Sequence, residues 1–357
     1  MTDHPTAVRV GDRQIEQHGA VYVVAELSAN HGRDLGRAIE IVHAVADAGA
    51  DAVKLQTYTA DTMTLRSEAA PFVVGPDSPW AGRRLHDLYD EAHTPWEWHG
   101  PLRDAAVDAG IDLFSSAFDA TSVAFLEELG VPVHKIASFE LTDLALVECA
   151  AATGKPLILS TGMAVASEID AAVRVARAAG DGGVVLLRCT SSYPAPPSAM
   201  DLATIPHMAA AWSAPVGLSD HTQSAAAAVA ATALGASVLE KHVTLRRADG
   251  GPDAHFSLEP AELRQTVALV REAQEAIGRV RYGATDAERP SLAFRRSLFV
   301  AAPIAAGEAF TTENVRVVRP ADGLPPSSLA LVLGRRATEA LAPGTPLTWE
   351  HVGALEA

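Results

Sequence analysis

The chain has 357 residues, 48% of them hydrophobic, which is enough for one large core and a small satellite domain. Its formal charge of -16 argues against nucleic acid or an anionic membrane surface as partner, so an anionic small molecule would need a local cluster of cations. Two cysteines, Cys149 and Cys189, are too few for a disulfide framework, and neither an apolar leader nor a bilayer-length apolar stretch occurs, which predicts a soluble cytoplasmic protein with reduced thiols.

Short β-rich runs at 21–27, 52–58, 112–117, 134–138, 156–161, 184–190, 216–221 and 237–243 alternate with helical patterns at 35–48, 95–109, 122–129, 144–153, 166–179, 200–211 and 224–234. A last helix, 260–277, follows the eighth strand. Eight such alternations over about 250 residues predict an α/β fold of the (β/α)8 TIM-barrel type. An open doubly wound sheet would announce itself by a Gly-rich first turn, and none follows 21–27. Two departures stand out. The second strand leads into a long excursion, 59–93, rich in Gly, Pro and charge, with the length of a lid or binding loop. After Gly283 the pattern changes to short β-like pieces, which divides the chain into a barrel at 1–283, a linker at 284–291 and a small β-rich domain at 292–357.

Barrel sites gather at the carboxyl ends of the strands. In chain order those ends deliver Glu26, Ser28, Asn30 and His31; Lys54, Gln56 and Thr57; Ser115 and Ser116; Lys135 and Ser138; and Ser160, Thr161 and Gly162. The last three strands add Thr190, Ser191, Ser192 and Tyr193, then Ser219, Asp220 and His221, then Lys241 and His242. Lysines and hydroxyls converging on one pocket suit a phosphate or carboxylate, although any single hydroxyl also reads as a strand-end cap. A strand-end lysine could alternatively form a Schiff base. His221 and His242 close two strands that a right-handed crossover sets side by side, and two neutral imidazoles make a half-shell for a divalent metal such as Mn, Co or Zn. They favour metal-dependent chemistry, because a Schiff-base enzyme has no use for them.

Several long motifs carry a family resemblance: VVAELSANHGRDL, AGADAVKLQTY, KIASFELTDLALVECAAATGKPLILSTGM, CTSSYPAP, GLSDHT, ALGASVLEKHVTL and GGPDAHFSLEP resemble the sialic acid synthase family. Within it, ELSANH, QTYTADTMTL, LYDEAHTPWEWH and GTPLTWE look most like the pseudaminic acid synthase branch. The resemblance covers nearly the whole chain, and the small domain resembles the family's antifreeze-like SAF domain.

The resemblance implies a transferase that condenses phosphoenolpyruvate with the open-chain aldehyde of an N-acylated amino sugar, giving a nine-carbon 2-keto acid and phosphate. It implies catalytic roles for Glu26, His221 and His242, with a divalent ion (Mn, Mg or Co) held by His221 and His242. It places phosphoenolpyruvate on Lys54, Ser115, Lys135, Ser138, Ser160 and Ser219, and the sugar on Gln56, Ser191, Tyr193, Asp253 and Arg319. It also implies a homodimer in which the SAF domain of one chain caps the partner's barrel and supplies Arg319. Gly32, Arg33, Ser191 and Ser224 depart from the family's usual residues around the acceptor, so an N-acetylneuraminate, legionaminate or secondary-metabolite acceptor stands as the alternative. A catalytically silent scaffold barrel is the distant one, and the complete set of Glu26, Lys54, Lys135, His221 and His242 speaks against it.

Overall fold

The computed structural model describes residues 7–76 and 80–354, and within them the chain forms two compact units, Met1–Gly278 and Arg279–Ala357. The first unit begins with an antiparallel hairpin, β1 (Ala7–Val10) and β2 (Arg13–Glu16), which turns at Gly11 with φ 55°. Eight parallel strands then close into a barrel: β3 (Tyr22–Glu26), β4 (Ala52–Thr57), β5 (Asp112–Ala117), β6 (His134–Ile136), β7 (Leu157–Ser160), β8 (Val184–Cys189), β9 (Val216–Asp220) and β10 (Val238–His242). This is the TIM barrel that the alternation predicts. Its strands are Val-, Ile- and Leu-rich and buried on both faces, as a parallel sheet enclosed by helices requires.

Seven helices cover that sheet along single apolar stripes: α1 (Leu35–Asp47), α4 (His99–Asp108), α5 (Ala120–Leu129), α6 (Leu144–Ala151), α7 (Ala166–Ala179), α8 (Thr204–Trp212) and α9 (Ala226–Ala233). The helix α10 (Pro260–Ile277) follows β10 and buries Leu263, Thr266, Val267 and Val270. Asp34 caps α1, and Asp119 caps α5 by accepting from the Thr121 and Ser122 amides, so polar side chains start the helices where the chain leaves the strand ends.

Between β4 and α4 the long excursion folds into two short helices, α2 (Ala60–Met63) and α3 (Leu85–Ala92), joined through a 3-10 turn and a bridge between Val73 and Arg84. Residues 77–79 of this excursion lie outside the described residues.

The second unit opens with a 3-10 turn at Arg289–Phe294 that overlaps the stretch read as a linker. It pairs β11 (Ser297–Val300) with β12 (Val315–Val318) antiparallel, adds one short helix, α11 (Leu329–Val332), and closes with isolated bridges. Leu298, Val300, Ile304, Phe310, Val315, Val332, Leu341 and Leu347 form its own small core. Among the described residues no helix is long and apolar enough to cross a membrane.

Candidate active site

The carboxyl ends of the strands open into a cleft of about 360 Å³. Strand parity decides which side chains reach it. On β4, Lys54 and Gln56 line the cleft, while the alternate residue Thr57 points away from it. The register sets Gln56 beside Ser116 and Leu55 beside Ser115, so on β5 the inward residue is Ser116. Ser115 instead faces the helix layer, its hydroxyl 2.7 Å from Thr57 Oγ1, which in turn lies 2.7 Å from His99 Nε2. Ser115, expected to contact phosphoenolpyruvate, therefore does not line the cleft, and its neighbour Ser116 does. The same parity sorts the last two strands. Ser219, His221, Glu240 and His242 line the cleft, whereas Asp220 and Lys241 pair with each other at 3.0 Å away from it.

The cationic half of the site is dense with bonds. Lys54 Nζ donates to Ser116 Oγ at 3.0 Å, forms a close ion pair with Glu26 Oε2 and lies 3.4 Å from Glu240 Oε1. Ser219 donates to that same Glu240 oxygen at 3.1 Å. Lys135 donates to Ser160 Oγ at 2.7 Å and to the Ile136 carbonyl at 2.9 Å. Burial lowers the Lys135 ammonium to about 8, while burial raises the Glu26 carboxyl to about 7 in spite of Lys54. For Glu240 the attraction of Lys54 and Lys135 outweighs burial and leaves the carboxyl below its ordinary range. Ser138 and Ser191 share a hydrogen bond of 2.8 Å, and Gly162 makes room for it: a Cβ there would come within 2.5 Å of Ser138 Cβ.

A second cluster holds the imidazoles. The His221 and His242 rings are 5.2 Å apart, with Tyr193 and Phe256 packed 4.5 Å from His221 and 4.8 Å from His242 respectively. His221 Nδ1 sits 2.9 Å from the Thr190 carbonyl, which assigns the proton to Nδ1 and leaves Nε2 as the electron-pair donor. Burial would lower the His221 imidazole, but the Cys189 thiol beside it reverses the sign, and Cys189 is correspondingly drawn down against its own burial. His242 is held well below its usual range by burial, and its Nδ1 has no partner. Among the described residues no three His, Cys, Asp or Glu groups converge as a complete metal site. Two adjacent imidazoles, that of His242 with an unpartnered ring nitrogen among the described residues, fit part of the shell of a divalent ion.

Asp253 lies at the edge of the cleft and accepts from Ser28, whose backbone takes the left-handed φ of 50° and whose amide donates to Glu26 Oε1 at 3.0 Å. That turn ties the Asp253 carboxylate to Glu26. Above these groups the excursion builds a largely apolar roof from Met63, Val74, Trp80, Leu85 and Leu88. Of the residues predicted from sequence, the cleft brings together Lys54, Gln56, Lys135, Ser138, Ser160, Tyr193, Ser219, His221, His242 and Asp253, with Glu26 and Ser191 one bond behind. Arg319 is exposed in the second unit, directly after β12. Sequence reading named Ser116 as a strand-end group without giving it a ligand, and missed Cys189, Glu140 and Glu240 as lining groups. For Glu240 a signal exists, because it stands two residues before His242 and shares its face of the strand.

The chain matches the NeuB family over residues 41–282 and the SAF domain over residues 295–353. It is 39% identical to a pseudaminic acid synthase from Helicobacter pylori, over 92% of this chain and 97% of the relative. It is 33% identical to an N,N'-diacetyllegionaminic acid synthase from Legionella pneumophila, over 93% of this chain and 95% of the relative. Among solved structures, an N-acetylneuraminic acid synthetase from Leptospira borgpetersenii in complex with citrate superposes with a TM-score of 0.71 at 29% identity, covering 81% of this chain and 96% of its own. A barrel with this arrangement of strand-end groups, matched over two thirds of its length and followed by a SAF domain, belongs to the NeuB family.

Proposed function

We propose that the cleft condenses phosphoenolpyruvate with the open-chain aldehyde of an N-acylated amino sugar to give a nine-carbon, sialic-acid-like 2-keto acid and phosphate, most specifically as a pseudaminic acid synthase. The observation that carries this reading is the convergence of Lys54, Lys135, Ser116, Ser138, Ser160 and Ser219 beside His221 and His242 in one cleft of a chain 39% identical to such an enzyme. A pocket with two buried ammonium groups suits the two anionic groups of phosphoenolpyruvate in a protein whose net charge of -16 otherwise repels anions. Lys135 spends two of its three N–H donors on Ser160 and Ile136 and keeps the third for the ligand.

In the reaction, C3 of phosphoenolpyruvate forms the new bond to the aldehyde carbon and water adds at C2. Phosphate then leaves as the C2–O bond breaks, and the 2-keto group remains. Glu26, whose burial brings its carboxyl up to about 7, is suited to exchange the proton that the added water gives up. His221 and His242 would hold a divalent ion such as Mn, Mg or Co, which when bound supplies Lewis-acid polarisation of the aldehyde oxygen. Gln56, Tyr193 and Asp253 lie on the acceptor side of the cleft, and the apolar roof excludes water around them. The chain acts as a homodimer whose SAF domain caps the partner's barrel. The exposure of Arg319, and of Phe139, Met163 and Val165 on the β6 and β7 loops of the barrel, supports that arrangement. The test is phosphate release from phosphoenolpyruvate against a panel of amino-sugar aldehydes, with product mass as readout. Turnover with the sugar aldehyde that yields pseudaminic acid above the others supports the specific reading, and no phosphate release with any acceptor overturns it.

A further inference from the structure

Lys54 donates to Ser116 at 3.0 Å and forms ion pairs with two carboxylates, Glu26 and, at 3.4 Å, Glu240. Unlike Lys135, it meets an entering anion with its charge already answered by carboxylates. One partner must yield, and the geometry singles out which. Glu26 holds Lys54 closely and is itself pinned through Oε1 by the Ser28 amide at 3.0 Å. Ser116 is neutral and sits on the neighbouring strand in register. Glu240 makes the longest contact, and it keeps a second partner in Ser219 at 3.1 Å to hold it once Lys54 is taken.

We propose that Glu240 is a positioning residue that acts through Lys54 as a placeholder for the substrate's anion, keeping the ammonium charged and aimed in the empty cleft and ceding its place when an oxyanion arrives. The proposal rests on the phosphoenolpyruvate reading of the cleft. It gives the second carboxylate a purpose that simple stability does not, since one counter-ion already neutralises Lys54. It also lowers affinity: an anion small enough to engage Lys54 without Lys135 must displace a carboxylate without the compensation of a second lysine.

The test measures binding of inorganic phosphate and of phosphoenolpyruvate by calorimetry to chelator-treated protein at one pH, in the parent chain, Glu240→Gln and Glu240→Asp. Glu240→Gln keeps an oxygen for Ser219 and removes the competing charge, so phosphate should bind roughly tenfold tighter, the weight of one charge-assisted hydrogen bond. Glu240→Asp keeps the charge in the cleft but withdraws it from Lys54 by one methylene. It should also tighten phosphate, by a smaller factor, and it carries the test alone if Glu240→Gln does not fold. Weaker or unchanged phosphate binding in both variants overturns the proposal. Tightening in Glu240→Gln but not in Glu240→Asp overturns it too, because the effect is then the general field of a carboxylate. If the parent and both variants bind neither anion, the reading of the cleft falls and the placeholder with it.

Discussion

The two ends of the barrel each gather a cluster of charged side chains and do different things with it. At the amino end, Asp51 accepts from Arg13 at 2.8 Å, Arg271 at 2.7 Å and the Val23 amide at 2.7 Å, and Asp112 accepts from Tyr22 at 2.7 Å. These side chains satisfy one another and clamp the hairpin, β3 and α10 together. At the carboxyl end, Lys135 keeps an unspent donor, two carboxylates divide one lysine, and His242 has an unpartnered nitrogen. A cluster of charges therefore does not by itself mark a site here. Hydrogen-bonding capacity left over inside a cleft is the better guide, because a ligand can discharge it there.

That contrast can be broken by substitution, and the largest effect is expected at the imidazoles. His242→Ala should remove several kcal/mol of transition-state stabilisation, about a thousandfold in phosphate release or more, while circular dichroism shows the barrel intact. Chelator should have the same effect, reversed by Mn, Co or Mg; full activity in metal-stripped His242→Ala enzyme would sink the metal assignment. At the other end, Asp51→Ala should cost about 2–4 kcal/mol in urea unfolding, since it removes the partner of the buried Val23 amide and the shared counter-ion of Arg13 and Arg271, and leave turnover per folded molecule unchanged. A loss of turnover without a loss of stability there would erase the contrast.

Two smaller effects sharpen it. Lys135→Met should raise the Michaelis constant for phosphoenolpyruvate about tenfold to a hundredfold, and the parent enzyme should lose affinity as pH rises through about 8, where the depressed Lys135 ammonium gives up its proton. An affinity flat from pH 7 to pH 9 would show that Lys135 stays charged or stays out of the cradle. The smallest effect is expected from Arg319→Ala, about tenfold on the Michaelis constant for the sugar and little on that for phosphoenolpyruvate. Mixing this variant with His242→Ala should restore part of the activity, since one of the two shared sites in a mixed dimer is intact. A monomer by sedimentation, or no rescue despite subunit exchange, rules out the shared site.

Much of the molecule was legible in its sequence, for a reason that also explains the misses. Fully buried parallel strands are continuous apolar runs, so their existence is plain: the pattern at 112–117 coincides with β5, and 166–179 and 260–277 coincide with α7 and α10. The same double burial hides which face points inward. Leu113 and Phe114 are both apolar and both buried, so nothing in the sequence around β5 told Ser115 from Ser116; the phase came from pairing with β4. Glu240 was passed over beside Lys241 for the same reason, and the lysine that looked functional proved to be spent on Asp220. The amino-terminal hairpin escaped notice because two four-residue strands carry too few residues to show a period.

The roof over the cleft differs from the floor in how it is encoded. Floor residues come one or two at a time from strands spread between Glu26 and His242, so no single change in chain length or segment replaces them together. Met63, Val74, Trp80, Leu85 and Leu88 all come from one contiguous insertion between β4 and α4. A single insertion, deletion or recombination event can replace that wall whole, and the loop-closure cost of altering its length is small. That wall of the cleft is accordingly free to drift on a timescale of its own, while the strand-end groups beneath it are inherited as a block.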